Sequence, residues 1–410
     1  MPATAPSIIL RAQRLAAAAL CVALPRLAAA QQPACDAPPQ QPITVVKVPG
    51  NPFQALPTAD GCWVFVSLPA TTLGWQSGVG VMKRAGGTLT LERVLPIAGG
   101  ATGMALTHDR KLLIVTAGLR VAFIDAPALI AGRADAVLGY LDQPNVVGRV
   151  YANVTPDDAY AFIADERSLT ISVIDLAKAR ASNFAATSVV GRIPTGTAPI
   201  ALTLSADASL MFATSQRAPD ALRWPISCKR EGGGPADTAL VFPHGAIHVI
   251  DVARAKTDPA NAVIHSVPAG CSPVRLVLSP DGQRAYVSAR NSNAVLTFDT
   301  RRLRADPNNA LIGRVPVGTA PVGIAVIEGG RKLVVTNSNR FAGDSSDRQM
   351  LNVIDATRVP DGASALIGSI PAGAFPREMR VTSDGRALIL TNFGSSSVQV
   401  IDLTRLPIQR

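Results

Sequence analysis

The chain has 410 residues, of which 48% are hydrophobic and 17% charged, with a formal net charge of +10. That balance excludes general disorder, and the length is enough to bury a large core. Lys and Arg are scattered along the sequence and not run together, which favours a solvated basic surface over a dedicated nucleic-acid tract.

In chain order, the first segment differs from the rest. Arg11 and Arg14 precede the apolar run 15–24, and "LAAA" ends at Ala30, so residues 1–30 read as a secretory signal peptide with the mature chain beginning near Gln31. The run is too short to span a bilayer of about 30 Å, and Arg26 follows it, so no transmembrane anchor is expected. Leu20 stands where a lipoprotein signal carries a small residue, which disfavours a lipid on Cys21. Removing three Arg and no acid leaves a charge of about +7 and four cysteines: Cys35, Cys62, Cys228 and Cys271. An even set in an exported chain implies two disulfides, with three pairings open.

After an N-terminal segment (31–42), "ITVVKV" (43–48) reads as a strand without a sheet of its own. Then "FQALPT" (53–58), "CWVFVSL" (62–68), "GVGVMK" (78–83) and "LTLERVLPIAG" (89–99) read as four strands. From there a repeat takes over. Runs ending in Asp recur as "VAFID", "ISVID", "IHVID", "VLTFD", "LNVID" and "VQVID", closing at Asp125, Asp175, Asp251, Asp299, Asp355 and Asp402. Upstream of the later ones lies a Gly-x-x-Pro turn ("GTAPIAL", "GCSPVRL", "GTAPVGI", "GAFPREM"), an apolar run, a polar turn such as "SPDG" and a second apolar run. Downstream comes a fourth, such as "ALIGRVPVG". Four strands a to d joined by tight turns make one propeller blade, and such units begin near Gly103, Val150, Ile200, Val274, Val322 and Glu378. The last unit lacks its fourth strand, which residues 43–48 can supply. The expected fold is an all-β, seven-bladed propeller of four-stranded blades, residues 43–410, closed by the N-terminal strand completing the last blade.

The unit "SPDGQRAYVSARNSNAVLTFDT" (279–300), with "VVTNSN" and "ILTNFG" elsewhere, resembles the YVTN β-propeller family, which includes YncE-like exported proteins. The resemblance covers nearly all of 43–402; the first two units depart from it. It implies a ligand binder, a partner platform or, less often, an enzyme.

The recurrent Asp residues read as structural, since a short acceptor at a strand end fixes the turn that follows. In a propeller, d-to-a and b-to-c connections share one face, and a-to-b and c-to-d connections the other. Cys228 lies in a long b-to-c insertion (217–245) and Cys271 at a d-to-a turn, so they share the first face and are expected to pair. Cys35 precedes the strand that completes the last blade and Cys62 begins strand b of the neighbouring first blade, so both lie toward the second face and are expected to pair. The cysteines lack the paired spacing of a zinc site, and no metal is expected.

Candidate ligand-binding residues gather on the d-to-a and b-to-c face: Arg275, Arg377 and Glu378 near the starts of strands a, and Asp165, Glu166, Arg167, Arg217, Arg290, Asn291, Asn337 and Asn392 beyond the ends of strands b. His244 in the insertion joins them, whereas His108, His248 and His265 fall in an opposite turn and in strands. Such charged and amide groups suit an anionic or polyhydroxylated ligand. No HExxH, P-loop, GxSxG or CxxCH element occurs, so no cofactor is expected and catalysis is not the first assignment. The expected function is an exported, monomeric platform binding a small molecule or protein through the insertion-bearing face. The alternatives are a lactonase-like hydrolase or isomerase using Arg275, Arg377, Glu378 and His244, and a DNA-binding propeller, the latter disfavoured by export.

Overall fold

A computed structural model describes residues 39–409 apart from 72, 73, 75, 86, 144, 235 and 342–348, together with residues 1, 2, 35 and 37. Of residues 1–30, expected to be a signal peptide, 3–30 lie outside the described residues.

Each blade is an antiparallel sheet with strands in the order a-b-c-d. The fifth shows the pattern: Pro273–Leu278, Arg284–Ala289, Ala294–Asp299 and Leu311–Pro316. The "DG" turns behave as their composition requires, with Gly282 and Gly385 at φ 69° and 68°, conformations open to glycine at little steric cost. The Asp that closes each strand c serves its own turn. Asp125, Asp175, Asp251 and Asp299 accept hydrogen bonds from the backbone N–H three residues on, capping short helices, and Asp355 and Asp402 do so two residues on. No carboxylate ring results.

Strand b carries a second repeated device. A hydroxyl accepts the N–H of a strand-a residue in its own blade: Ser67 from Gln54, Thr116 from Gly103, Thr214 from Ala201, Ser288 from Arg275, Thr336 from Gly323 and Thr391 from Glu378. Three of them also donate to a carbonyl of the next blade, Thr214 to Val274 at 2.9 Å, Ser288 to Val322 at 2.7 Å and Thr391 to Phe53 at 3.5 Å. Each such bond contributes about 1 kcal/mol and fixes neighbouring blades in register. Ala164 holds the equivalent place in the third blade, where Asn153 instead reaches Leu202 of the fourth.

Closure occurs as expected. Ile43–Lys47 pairs antiparallel with Ser397–Asp402, Val46 opposite Val398, and forms strand d of the seventh blade. Both disulfides join the expected partners, Cys35 with Cys62 and Cys228 with Cys271. The insertion is a small hairpin, Ile226–Lys229 against Leu240–Pro243, leading into strand c at Ala246.

Candidate functional site

The residues around the central axis follow from one rule. The residue two places after the entry proline of strand a faces the axis in every blade, with Ala101 and Arg149 replacing that proline in blades two and three. The seven axial residues are Gln54, Gly103, Tyr151, Ala201, Arg275, Gly323 and Glu378. Large and small residues share this layer because the axis is crowded. A Cβ on Gly103 would collide with the backbone at Val150 and Tyr151, and one on Gly323 would lie 2.6 Å from the Arg377 carbonyl. With Ala201 and Gly323 small, three long side chains meet across the channel. Arg275 Nε donates to Glu378 Oε2 at 2.7 Å, its Nη2 reaches the same oxygen, and Tyr151 Oη donates to it at 3.4 Å. The Arg275 guanidinium lies 3.7 Å from the centre of the Tyr151 ring. Arg380 holds the other oxygen of Glu378 at 3.1 Å. Burial pushes Arg275 down to about 10 against the opposing pull of Glu378.

The residue one place after the proline is apolar in most blades. Phe53, Ile200, Val274 and Val322 belong to one packed cluster with Val150 against it, at the end of the channel nearest the insertion. Thr102 of blade two and Arg377 of blade seven are the exceptions, and only Arg377 is charged. Its guanidinium lies 3.7 Å from the centre of the Phe53 ring, with Phe375 and Phe393 each at 5.7 Å. Burial pushes it down to about 10, Glu378 opposing and Arg290 assisting. Arg340 sits near enough to repel both Arg290 and Arg377 and is itself pushed down to about 10, chiefly by burial. Among the described residues neither Arg340 nor Arg377 has a carboxylate partner, and Arg377 Nε is buried without an acceptor.

Two cavities among the described residues bear on these groups. The larger, about 530 Å³, runs from Arg275, Glu378 and Tyr151 along strands a to His108 and Pro156 in the a-to-b turns. It therefore lies away from the insertion, where the candidate site was expected; the apolar side chains at the channel's other end are the reason. The smaller, about 400 Å³, lies between the insertion and blades five and six, lined by Lys229, Glu231, Arg290, Asn291, Thr319 and Phe341 among others. It is held in shape by the Cys228–Cys271 bridge, by Arg290 gripping both oxygens of Glu231 at 2.7 and 2.6 Å, and by Asn291 donating to the Lys229 carbonyl at 2.9 Å.

The remaining candidates do not join one site. Asp165, Arg217, Asn337 and Asn392 are the last residues of their strands b and do not lie beyond them. Asp165 accepts from Ser172 at 2.6 Å and faces Arg149 at 3.6 Å; burial pushes this carboxyl up and Arg149 down. Asn337 donates to Asn352 at 2.9 Å, and Asn392 to Gln399 at 3.1 Å, so these side chains brace strand b on strand c. Arg217 stacks on Phe242 of the insertion, 3.2 Å from the ring centre. Glu166 contributes an opposing charge to Arg340 and Arg377, and Arg167 lies exposed beside Gly148. His244 lies with Cys228 and Cys271, their ligand atoms within 4.8 Å, but both sulfurs are committed to the disulfide and offer no thiolate. Sequence reasoning missed Tyr151, Glu231, Arg340 and Arg380; alignment of the strands a, with Arg149 in the place of the entry proline, marks Tyr151, but nothing local marks the others.

His248 illustrates the same bracing with a titratable group. Its Nε2 meets Ser215 Oγ and its Nδ1 meets Ser266 Oγ, each at 2.9 Å, and burial pushes it down to about 4. The unfolded chain protonates this histidine near pH 6.5 while the fold resists until about pH 4. Stability is therefore complete above pH 6.5 and falls on acidification towards pH 4, by about 3 kcal/mol. Urea unfolding at pH 7.5 and 4.5 should show a smaller acid loss in His248→Gln than in the parent; equal losses would refute this.

No family model matches the chain, and no curated protein matches it. Among solved structures, a chain of the Kuenenia stuttgartiensis hydrazine synthase superposes with TM-score 0.62 at 18% identity, covering 87% of this chain and 97% of that one. The Cps50 (Swd1) β-propeller domain of Myceliophteria thermophila gives 0.59 at 12% identity, with coverages of 88% and 99%. This chain is a seven-bladed β-propeller.

Proposed function

We propose that the protein is an exported binding platform of the YVTN, YncE-like kind, and that its insertion-bearing face takes an anionic group of a small molecule or an acidic protein segment. The observation that carries this is the closeness of Arg290, Arg340 and Arg377, of which Arg290 lines the cleft of about 400 Å³ and is the one neutralised by a carboxylate among the described residues. Guanidiniums backed by aromatic rings are preorganised donors for carboxylate or phosphate. The disulfides suit an oxidising compartment, in keeping with removal of residues 1–30 and a mature propeller domain from 43 to 410 bearing the 217–245 insertion. No helix among the described residues is long and apolar enough to cross a membrane.

The lactonase-like alternative receives partial support: Arg275 and Glu378 do meet, but His244 packs at the disulfide, outside the cavity they line. A DNA-binding role would use the same basic face and is separable by experiment. Thermal unfolding of residues 31–410 with sugar acids, acidic peptides, lactones and oligonucleotides at 0.15 M salt tests these readings. A specific anion at a hundredfold excess over its Kd should raise the midpoint by roughly 3 °C. The rise should vanish in Arg340→Ser/Arg377→Met and when the insertion is shortened. A shift from oligonucleotides alone would favour the DNA reading, and a shift untouched by both changes would overturn the proposed face.

A further inference from the structure

The axial cavity is a second site, distinct from the insertion-bearing face. Its inner end is polar and its walls are apolar, formed by strand-a side chains such as Val154, Leu204, Leu278 and Met379. At that end two guanidiniums, Arg275 and Arg380, share the single carboxylate of Glu378, leaving one positive charge in excess. Arg275 is 7% exposed, and its Nη1 has no hydrogen-bond acceptor among the described residues. A buried guanidinium N–H without an acceptor costs about 1–3 kcal/mol, so the site gains from any ligand that supplies one. From Arg275 to Leu278 the strand advances three steps, about 10 Å, which sets the depth of the apolar walls. The volume, about 530 Å³, is of the size that takes a small organic ligand.

We propose that this cavity binds an amphipathic monocarboxylate, its head group on Arg275 Nη1 beside Glu378 and Tyr151 and its apolar tail directed along strands a towards His108. Ala201 and Gly323 hold the equivalent places in blades four and six, on either side of Arg275, and both line the cavity. The carboxylate is selected because the excess charge at the cavity's inner end is positive. An alcohol satisfies the donor without answering the charge, and an amine does neither.

Octanoate, octanol and octylamine share a tail and differ in head group, so calorimetric titration of residues 31–410 with each separates the two contributions. Octanoate is expected to bind at least tenfold tighter than octanol, and octylamine not to bind. Arg275→Met alone leaves Glu378 buried with one partner fewer and risks misfolding. Arg275→Met/Glu378→Met/Arg380→Met removes the whole cluster, leaves no unpaired guanidinium and is expected to fold. In that triple variant octanol should still bind and the octanoate preference should be lost. Shortening the 217–245 insertion should leave octanoate affinity unchanged. The proposal is overturned if none of the three ligands binds the parent protein, if octanoate and octanol bind it equally, if the triple variant keeps the preference, or if shortening the insertion abolishes binding.

Discussion

Arg275→Ala is expected to destabilise the propeller by about 3 kcal/mol, the lower end of the 3–5 kcal/mol typical of breaking a buried ion pair. The cost arises less from losing attraction than from leaving Glu378, 1% exposed, with only Arg380 and Tyr151 to hold its charge. Arg380 places the effect at the lower end. Its side chain is 41% exposed and still reaches Oε1 of Glu378 at 3.1 Å. Replacing both Arg275 and Glu378 by methionine should recover most of the loss, because packed apolar groups incur no desolvation penalty. Urea unfolding of the two variants, compared by linear extrapolation, measures this directly. A single-variant loss below about 1 kcal/mol would mean that water in the channel already screens the pair.

Deleting residues 31–48 should have a larger effect. This removes the strand Ile43–Lys47, which supplies all of strand d in the seventh blade, and leaves Ser397–Asp402 as an open edge beside a fully buried row of side chains. Ile43, Val46 and Val48 pack on the clusters that border the seventh blade, and their loss amounts to roughly 5 kcal/mol. The midpoint should fall by about 6 °C, with aggregation through the exposed edge. A control is needed because the deletion also breaks the Cys35–Cys62 bridge. Cys35→Ser/Cys62→Ser should cost less than the deletion, and a peptide spanning 39–50 should restore the midpoint in the truncated chain. An unchanged midpoint after deletion would show that the ring does not depend on this strand.

The fold was legible because its signals are local. Asp299 caps the turn after its strand through a backbone N–H three residues away, and Gly282 takes a positive φ within a four-residue turn. The disulfides were legible one step later, once blade order put Cys228 and Cys271 on the same face. The site was less so. Asn337 and Asn392 occupy the strand-end places expected of ligand-facing groups, yet each is held by an amide on the neighbouring strand c, Asn352 or Gln399. Whether an amide faces a ligand or a neighbour depends on a partner 15 or 7 residues away, and those distances follow no single motif.

The sequence by itself determined the number of blades, the turn at each strand end, the closure by residues 43–48 and the cysteine partners, since each depends on periodicity or on contacts repeated in every unit. Only the tertiary structure decided what faces the axis. Arg275, Glu378 and Tyr151 come from blades five, seven and three, 103 and 227 residues apart from Glu378, and they meet across intervening blades whose equivalent residues are the small Ala201 and Gly323. Side chains from separate units converge there once the ring has closed, so no single repeat encodes the cavity they form.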